Sequence, residues 1–353
     1  LIEPFGFSRL WLLRKLGSKG TPLGLQRALT RPASPFWREL SSYLPVYESN
    51  IRTYVVQKDN NGSRMAGVAQ ICEHPARPEA EIVYLAPALS THPDVRDLWT
   101  RLLGEVCKRA GEQGLLRVFA AVPWGSDEMD VFRQASFVDY AREDILRLDG
   151  FGPVRRTFPL SGVRRLQYGD ESRLADLYEQ VTPRHVQWAE GQSLPRSWAE
   201  ASNQRGFRGE EAYVLENETN GTIAALLHIS PGKTGHWLEI ARGPDGDSSI
   251  DDLLDFALER IANWPPRPVY TAVRAYMGGI LPALYARGFE PCAQQAAMMK
   301  NTAVWLKDPF QPIIPVVKKQ VGPSTPTVTL TNGEVISESS SHPVAASVGS
   351  SQR

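Results

Sequence analysis

Residues Leu281–Pro291 read LPALYARGFEP, and this short run decides the fold. A short apolar helix is expected to end at Gly288. Phe289 then opens a strand. Just upstream, Val269–Val273 (VYTAV) reads as a buried strand, so the local order is strand, helix, glycine stop, strand.

Moving outward, the same order is written twice along the chain. In the first half, Tyr54–Gln57 and Met65–Ile71 flank Asn60-Asn61-Gly62. In the second, Ala212–Leu215 and Ile223–Ile229 flank Asn220-Gly221. Asn-Gly between β-rich runs signals a hairpin, since both residues tolerate positive φ. A further strand follows each hairpin, Glu81–Leu85 (EIVYL) and His236–Ile240 (HWLEI). Then comes an amphipathic helix. Its first copy places Val95, Leu98, Trp99, Leu102, Leu103, Val106, Cys107 and Ala110 on one face. Its second copy does so with Ile250, Leu253, Leu254, Ala257, Leu258 and Ile261. The strands Leu116–Val122 and Val269–Val273 come next, and short helices run into Phe137 and Phe289. Leu102 to Leu253 spans 151 positions and Phe137 to Phe289 spans 152, so the offset is nearly constant. The repetition lies in the pattern, with little residue identity between the halves.

The run LYARGFE resembles the closing unit of the GNAT acetyltransferase superfamily, where LYxxxGFE follows the fifth strand. The order β-β-β-α-β-α-β resembles that family's core, and VRRLQYGDESRLADLYEQV (residues 163–181) looks like its opening strand and first helix. Two units in one chain resemble the tandem arrangement of mycothiol synthase and N-myristoyltransferase. The resemblance implies a mixed α/β (α+β) fold with two tandem GNAT-like domains, each a mixed sheet flanked by helices. Residues 1–150 would form the N-terminal domain, 151–162 a Gly- and Pro-rich linker, and 163–306 the C-terminal domain. In the first half, Arg9–Leu16 is followed by a helix-like stretch, Leu23–Leu44, interrupted by Pro32 and Pro35. Residues 307–353 are rich in Pro, Ser, Thr and Val, cannot bury enough apolar area to offset their ordering entropy, and read as a disordered tail.

The family holds the coenzyme A pyrophosphate on backbone N–H groups at the start of the amphipathic helix, through a Q/R-x-x-G-x-G/A loop. The physics is that of an anion at a helix N-terminus. Neither half keeps the pattern. In the first, the glycine positions hold Asp97 and Trp99, whose charge and bulk would obstruct a phosphate, and Phe132 is aligned with the second half's Tyr285. The first half therefore reads as structural. In the second, Asp245-Gly246-Asp247-Ser248-Ser249-Ile250 keeps small residues in the loop but adds carboxylates. The resemblance makes Arg242, Gly243, Gly246, Ser248 and Ser249 the candidate cofactor-binding residues for acetyl-CoA or another acyl-CoA. It makes Tyr285 the general acid for the leaving thiolate and Glu239 the general base. By strand parity Glu239 shares a face with Trp237, opposite Leu238 and Ile240. His185, Trp188 and Trp198 fall where an acceptor pocket is shaped in such folds. The equally ordinary reading of Tyr285, Glu239 and these aromatics is packing or surface exposure.

Composition narrows the rest. The 353 residues carry 39 basic and 39 acidic side chains, which gives no electrostatic reason for a nucleic-acid or membrane partner. No apolar run approaches the roughly 20 residues a bilayer span needs, and Arg14 and Lys15 break the Leu10–Leu13 stretch, so a cytoplasmic protein is expected. Cys72, Cys107 and Cys292 show no metal spacing, and His74, His92, His228 and His236 no triad spacing. The expected activity is acyl transfer to a small-molecule or peptide amine by the C-terminal domain. The alternative is a non-catalytic protein of the same fold that binds a ligand or partner.

Overall fold

A computed structural model describes residues 2–4, 19–32, 50–60, 63–74, 77–150, 161–192, 194–202, 209–217, 219–244 and 250–302. Arg9–Leu16, Pro35, most of the linker and the tail lie outside them. The leading strands are β1 (Ile2–Pro4), β2 (Thr21–Pro22), β3 (Ile51–Asn60), β4 (Ser63–Glu73), β5 (Glu79–Ala86), β6 (Arg117–Pro123) and β7 (Val138–Leu148). The second half supplies β8 (Val163–Arg165), β9 (Glu211–Glu216), β10 (Ile223–Ser230), β11 (His236–Arg242), β12 (Val269–Arg274) and β13 (Glu290–Asn301). The helices are α1 (Leu25–Thr30), α2 (Val95–Glu112), α3 (Asp127–Gln134), α4 (Glu171–Val181), α5 (Arg184–Ala189), α6 (Arg196–Ser202), α7 (Ile250–Ala262) and α8 (Leu281–Ala286).

All thirteen strands join one sheet. Its order is β1-β3-β4-β5-β6-β13-β7-β12-β11-β10-β9-β8, with β2 beside β5. The two hairpins form as the turns require: β3 and β4 pair down to Asn60↔Ser63, and Gly221 takes φ +68° between β9 and β10. Both long helices bury the face their spacing predicts. Leu98, Trp99, Leu102 and Leu103 of α2 are fully buried, and so is Leu254 of α7, flanked by Leu253 and Ile261. Gly67 of β4 lets α2 approach, since a Cβ there would stand 3.1 Å from Leu98 Cγ.

The middle of the sheet holds an arrangement that the repeat does not announce. The last strand of each half pairs with the other half. β13 lies antiparallel to β6, from Gln295↔Pro123 to Asn301↔Arg117, and β7 lies antiparallel to β12, from Val269↔Leu148 to Arg274↔Glu143. β7 and β13 also pair with each other. Each half thus completes its neighbour's sheet, and residues Leu1–Leu306 make one compact unit.

Two details differ from the sequence reading. Leu23 does not begin a helix: α1 starts at Leu25, and Thr21–Pro22 is a strand. The helix ends also shift one alignment. Gly288 (φ +84°) donates its N–H to Tyr285 O, and Phe289 donates to Leu284 O. Ser136 (φ 65°) donates to Arg133 O, and Phe137 to Phe132 O. The same cap therefore aligns Tyr285 with Arg133, and Phe132 with the buried Leu284.

Candidate functional site

Each half contains a pair of parallel strands that begin together and then part. In the first, β5 and β6 pair from Glu79↔Arg117 to Ile82↔Ala120 and then separate. In the second, β11 and β12 pair from His236↔Val269 to Leu238↔Thr271 and then separate. Beyond the last pair, backbone groups on both inner edges lose their ladder partners and need others.

In the first half the chain supplies those partners itself. β2 lies antiparallel to β5, Leu23 donates its N–H to Val83 O at 3.0 Å, and Gly24 donates to Ala121 O at 3.0 Å. Gly24 manages this turn at φ +79°. Beneath it, the fully buried Trp99 donates its indole N–H to Pro87 O at 2.8 Å. The first wedge is therefore filled by residues 21–24.

In the second half, among the described residues, no backbone segment bridges the two strands beyond Leu238↔Thr271. Instead a cavity of about 160 Å³ opens there, lined by Glu239 and Ala241 of β11, Arg274 of β12, and Tyr276 and Met277 just after it. Tyr178, Ser197 and Trp198 close it from α4 and α6, and Gln26 of α1 and Gln295 of β13 close it from the central seam. α1 is held here because Leu25 and Leu29 pack on Trp237 and Tyr270, while Thr30 O accepts from Lys233 N at 2.7 Å.

One wall of the cavity is a buried ionic network. Arg274 donates through Nε to Glu143 Oε1 (3.1 Å), through Nη2 to Glu190 Oε1 (2.7 Å) and through Nη1 to Tyr276 Oη (3.0 Å). Tyr178 Oη donates to Glu190 Oε2 at 2.6 Å, and burial first, then the Glu190 charge, pushes its pKa up. Gln295 donates to Glu143 at 2.7 Å while its carbonyl accepts from Leu25 N at 3.1 Å. The network thus ties the exchanged strands β7 and β13 to β12.

Glu239 stands on the other wall. Its Oε1 accepts from Ser197 Oγ at 2.9 Å and from Trp198 Nε1 at 2.8 Å. Its Oε2 lies 3.7 Å from Nδ1 of His228, the residue directly opposite on β10. The imidazole's Nε2 lies 3.7 Å from Glu210, which also meets Arg31 at 3.4 Å. Burial opposes a charge on His228, but the two carboxylates outweigh it and push the pKa up to about 9. Burial would likewise raise Glu239, yet His228, Ser197 and Trp198 hold it below the usual carboxylate range. At neutral pH the pair is a carboxylate beside an imidazolium.

The other sequence candidates are dispersed. Tyr285 is 47% exposed on α8 and does not line the cavity; Tyr276 does. Arg242 reaches from the end of β11 towards Gly279, where a Cβ would meet its Nη2 at 3.1 Å. Gly243 donates its N–H to Ala224 O at 2.8 Å, and a Cβ there would stand 3.1 Å from Leu177, so its amide and its small size serve the sheet. Gly246, Ser248 and Ser249, with Asp245 and Asp247, lie outside the described residues. At the start of α7, Asp251 is answered by Arg287, whose Nη1 donates to its Oδ1 at 2.5 Å. Trp198 lines the cavity, whereas Trp188 is 63% exposed and His185 is also exposed. Sequence spacing missed His228, Glu143, Glu190 and Arg274, because their meeting depends on strand register and on the exchange. His228 alone carried a signal: a hairpin turning at Pro231–Gly235 sets it across from Glu239.

No family model matches the sequence, and no curated protein matches it. Solved structures do match in fold. A tandem GNAT protein from the clavulanic acid biosynthesis pathway shares 17% identity at a TM-score of 0.51, over 85% of this chain and 98% of that one. A Drosophila protein shares 13% at 0.50, over 86% and 98%. A GCN5-related N-acetyltransferase from Sphaerobacter thermophilus shares 11% at 0.48, over 85% and 95%. What is shared at these identities is the fold: this chain has the tandem GNAT-like fold of that first structure. Among the described residues no helix is long and apolar enough to cross a membrane, and no cluster of side chains suits a metal ion.

Proposed function

We propose that the second half, residues 163–306, is an acyl-CoA-dependent N-acyltransferase acting on an amine, and that the first half, residues 1–150, is its non-catalytic partner domain. The observation that carries this reading is the contrast between the wedges: the first is filled by Leu23–Gly24, while the second opens on a cavity holding Glu239. Acyl-CoA would supply an acyl group on a thiolate leaving group. Arg242, at the mouth of the second wedge, and the loop through Gly246, Ser248 and Ser249 are the residues that would hold it, with Gly243 packing the turn before them. The acidic first turn of α7 works against the phosphates, and the Arg287–Asp251 pair removes part of that repulsion.

Glu239 would take the proton of an acceptor ammonium, leaving the amine lone pair free to attack the acyl carbon. His228 holds that carboxylate ionised and oriented. Tyr285, on the helix that follows β12, would give its proton to the departing sulfur. Supporting the reading, Ser197 and Trp198 fix Glu239 from one side and leave its other oxygen beside His228.

The test is a calorimetric titration of the full chain with acetyl-CoA, followed by assay of CoA release with a panel of amines. One site per chain is expected, with release that depends on Glu239. No acetyl-CoA binding at low salt would favour the non-catalytic alternative and would leave Glu239–His228 as a buried structural pair.

A further inference from the structure

One side chain of the first half reaches the groups that stand behind Glu239. α1 leaves the plug and ends against the turn that joins β10 to β11. There Thr30 O accepts from Lys233 N at 2.7 Å and from Thr234 N at 3.2 Å, and Leu29 O accepts from Thr234 Oγ1 at 2.6 Å. Gly232 permits the approach, since a Cβ on it would stand 2.5 Å from Thr30 O. The residue after α1 is Arg31. Its Nε and Nη2 donate to Pro231 O at 3.2 and 2.6 Å, which fixes the planar guanidinium. Its Nη1 then donates to Glu210 Oε1 at 3.4 Å. The other oxygen of Glu210 lies 3.7 Å from His228 Nε2, and His228 Nδ1 lies 3.7 Å from Glu239 Oε2. Ser230 Oγ is 3.4 Å from the same Nε2. His228 is thus faced by Glu239 from β11, by Glu210 from the chain entering β9, and by Ser230 of its own strand. Burial works against a charge on this ring, and the two carboxylates outweigh it. The ring's charge therefore depends on where Glu210 stands, and Arg31 grips Glu210 from its other side.

We infer that, given the acyl-transfer reading above, Arg31 is a positioning residue of the second half's site: it holds Glu210 against His228 and so keeps the imidazolium that faces Glu239. Its anchor is the two-donor grip on Pro231 O, one residue beyond the strand that carries His228. The first half then supplies a working part of the open site while its own wedge stays closed.

The test is an NMR titration of the His228 imidazole in the full chain, assigned with His228→Gln. Positioning and plain charge predict opposite signs. Arg31→Gln removes a cation, which alone would raise the imidazole pKa. If Arg31 holds Glu210 in place, the ring loses a carboxylate and its pKa falls instead. A fall is expected, cutting the protonated fraction at pH 9 by about twofold or more. Glu210→Gln should lower it at least as far, and adding Arg31→Gln to that variant should lower it no further. Arg31→Lys, which keeps a charge but not the planar fork, should fall part of the way. Thr234→Val, which loosens the end of α1 without touching a charge, should leave the titration where it is. An unchanged or raised pKa in Arg31→Gln would overturn the inference. So would a further fall in the double variant, or an equal fall in Thr234→Val. Should Arg31→Gln fail to fold, the sign in Arg31→Lys decides alone. CoA release from acetyl-CoA, with one amine throughout, is followed in parallel, and the alkaline limb of kcat/KM should move to lower pH together with the titration. A moved titration beside no release from any amine would sink acyl transfer and keep the positioning of His228. Release beside an unmoved titration would do the reverse.

Discussion

The two wedges start from the same geometry and end differently. In the first half β5 and β6 part after Ile82↔Ala120, and the inner edges are closed by the chain's own N–H groups, from Leu23 and Gly24. In the second, β11 and β12 part after Leu238↔Thr271, and a cavity with an ionised Glu239 takes the place of a plug. The lesson is that a repeated unit keeps the splay because the strand geometry imposes it, while what occupies the splay differs from copy to copy. The filling segment then runs on as α1, which roofs the other copy's cavity through Gln26 and docks on the turn at Lys233. The closed half thereby helps build the open one.

The sharpest way to break this contrast is Glu239→Gln. Loss of the base should lower turnover by about 10²–10⁴-fold, with acetyl-CoA affinity unchanged, read from steady-state kinetics beside calorimetry. Unchanged turnover would remove the functional distinction between the wedges. Next comes the floor of the closed wedge. Trp99→Ala deletes a fully buried indole and strands Pro87 O, so the chain should lose about 3–5 kcal/mol of stability, measured by denaturant unfolding. Its acetyl-CoA affinity should not change; two bound molecules per chain would mean that the first wedge had become a site. On the proposed mechanism Tyr285→Phe should cut turnover by about 10-fold to 100-fold without altering affinity, since the hydroxyl would serve to give a proton and not to hold the cofactor. Tyr276→Phe is its control, because Tyr276 lies in the cavity and Tyr285 does not.

How much of this was legible in the sequence follows from which forces are local. Helix faces such as Leu98–Leu102 and Ile250–Leu254 were legible, because apolar spacing within one element reports its buried side. So were the hairpins, through Asn-Gly. The strand exchange was not: Val138–Leu148 and Glu290–Asn301 end equivalent units, and nothing within either one names the edge it will find. The plug was hidden for a related reason. Leu23–Leu44 has helical composition, and it is the carbonyls of Val83 and Ala121, on strands that have parted, that draw the N–H groups of Leu23 and Gly24 out of a helix. Glu239 was legible by parity. Arg274's partners were not, since Glu143 comes from β7 and meets it only through the exchange.

The ion pair on the open side gives a smaller, pH-dependent effect. His228 has a folded pKa of about 9 against an ordinary 6.5. A raised pKa means the folded state binds the proton more tightly, so the stabilisation is complete below about pH 6.5 and is lost as pH rises through about 9. Melting temperature should therefore fall across that window. His228→Gln should flatten the fall, and a slope unchanged in the variant would assign it to other groups. The closed wedge, which among the described residues shows no buried histidine–carboxylate pair, should contribute no slope there.

The smallest expected effect isolates the plug itself. Gly24 sits at φ +79°, a backbone conformation that costs an L-residue about 1–2 kcal/mol. The site is otherwise roomy: an added Cβ would find its nearest neighbour, Glu81 Oε1, at an ordinary 3.5 Å. Gly24→Ala therefore strains the turn without a clash, and the cost should appear as about 1–2 kcal/mol in denaturant unfolding. The strain falls on the segment whose N–H groups hold Val83 O and Ala121 O, so it loosens the plug selectively. Acetyl-CoA stoichiometry then reads the outcome. If the first wedge is closed only by its plug, the weakened variant should begin to take a second molecule at high ligand concentration. If Trp99 and Asp97 also bar the way, stoichiometry stays at one and only stability changes. The second result is expected, because the bulk of Trp99 lies at the start of α2, where a phosphate would need bare backbone.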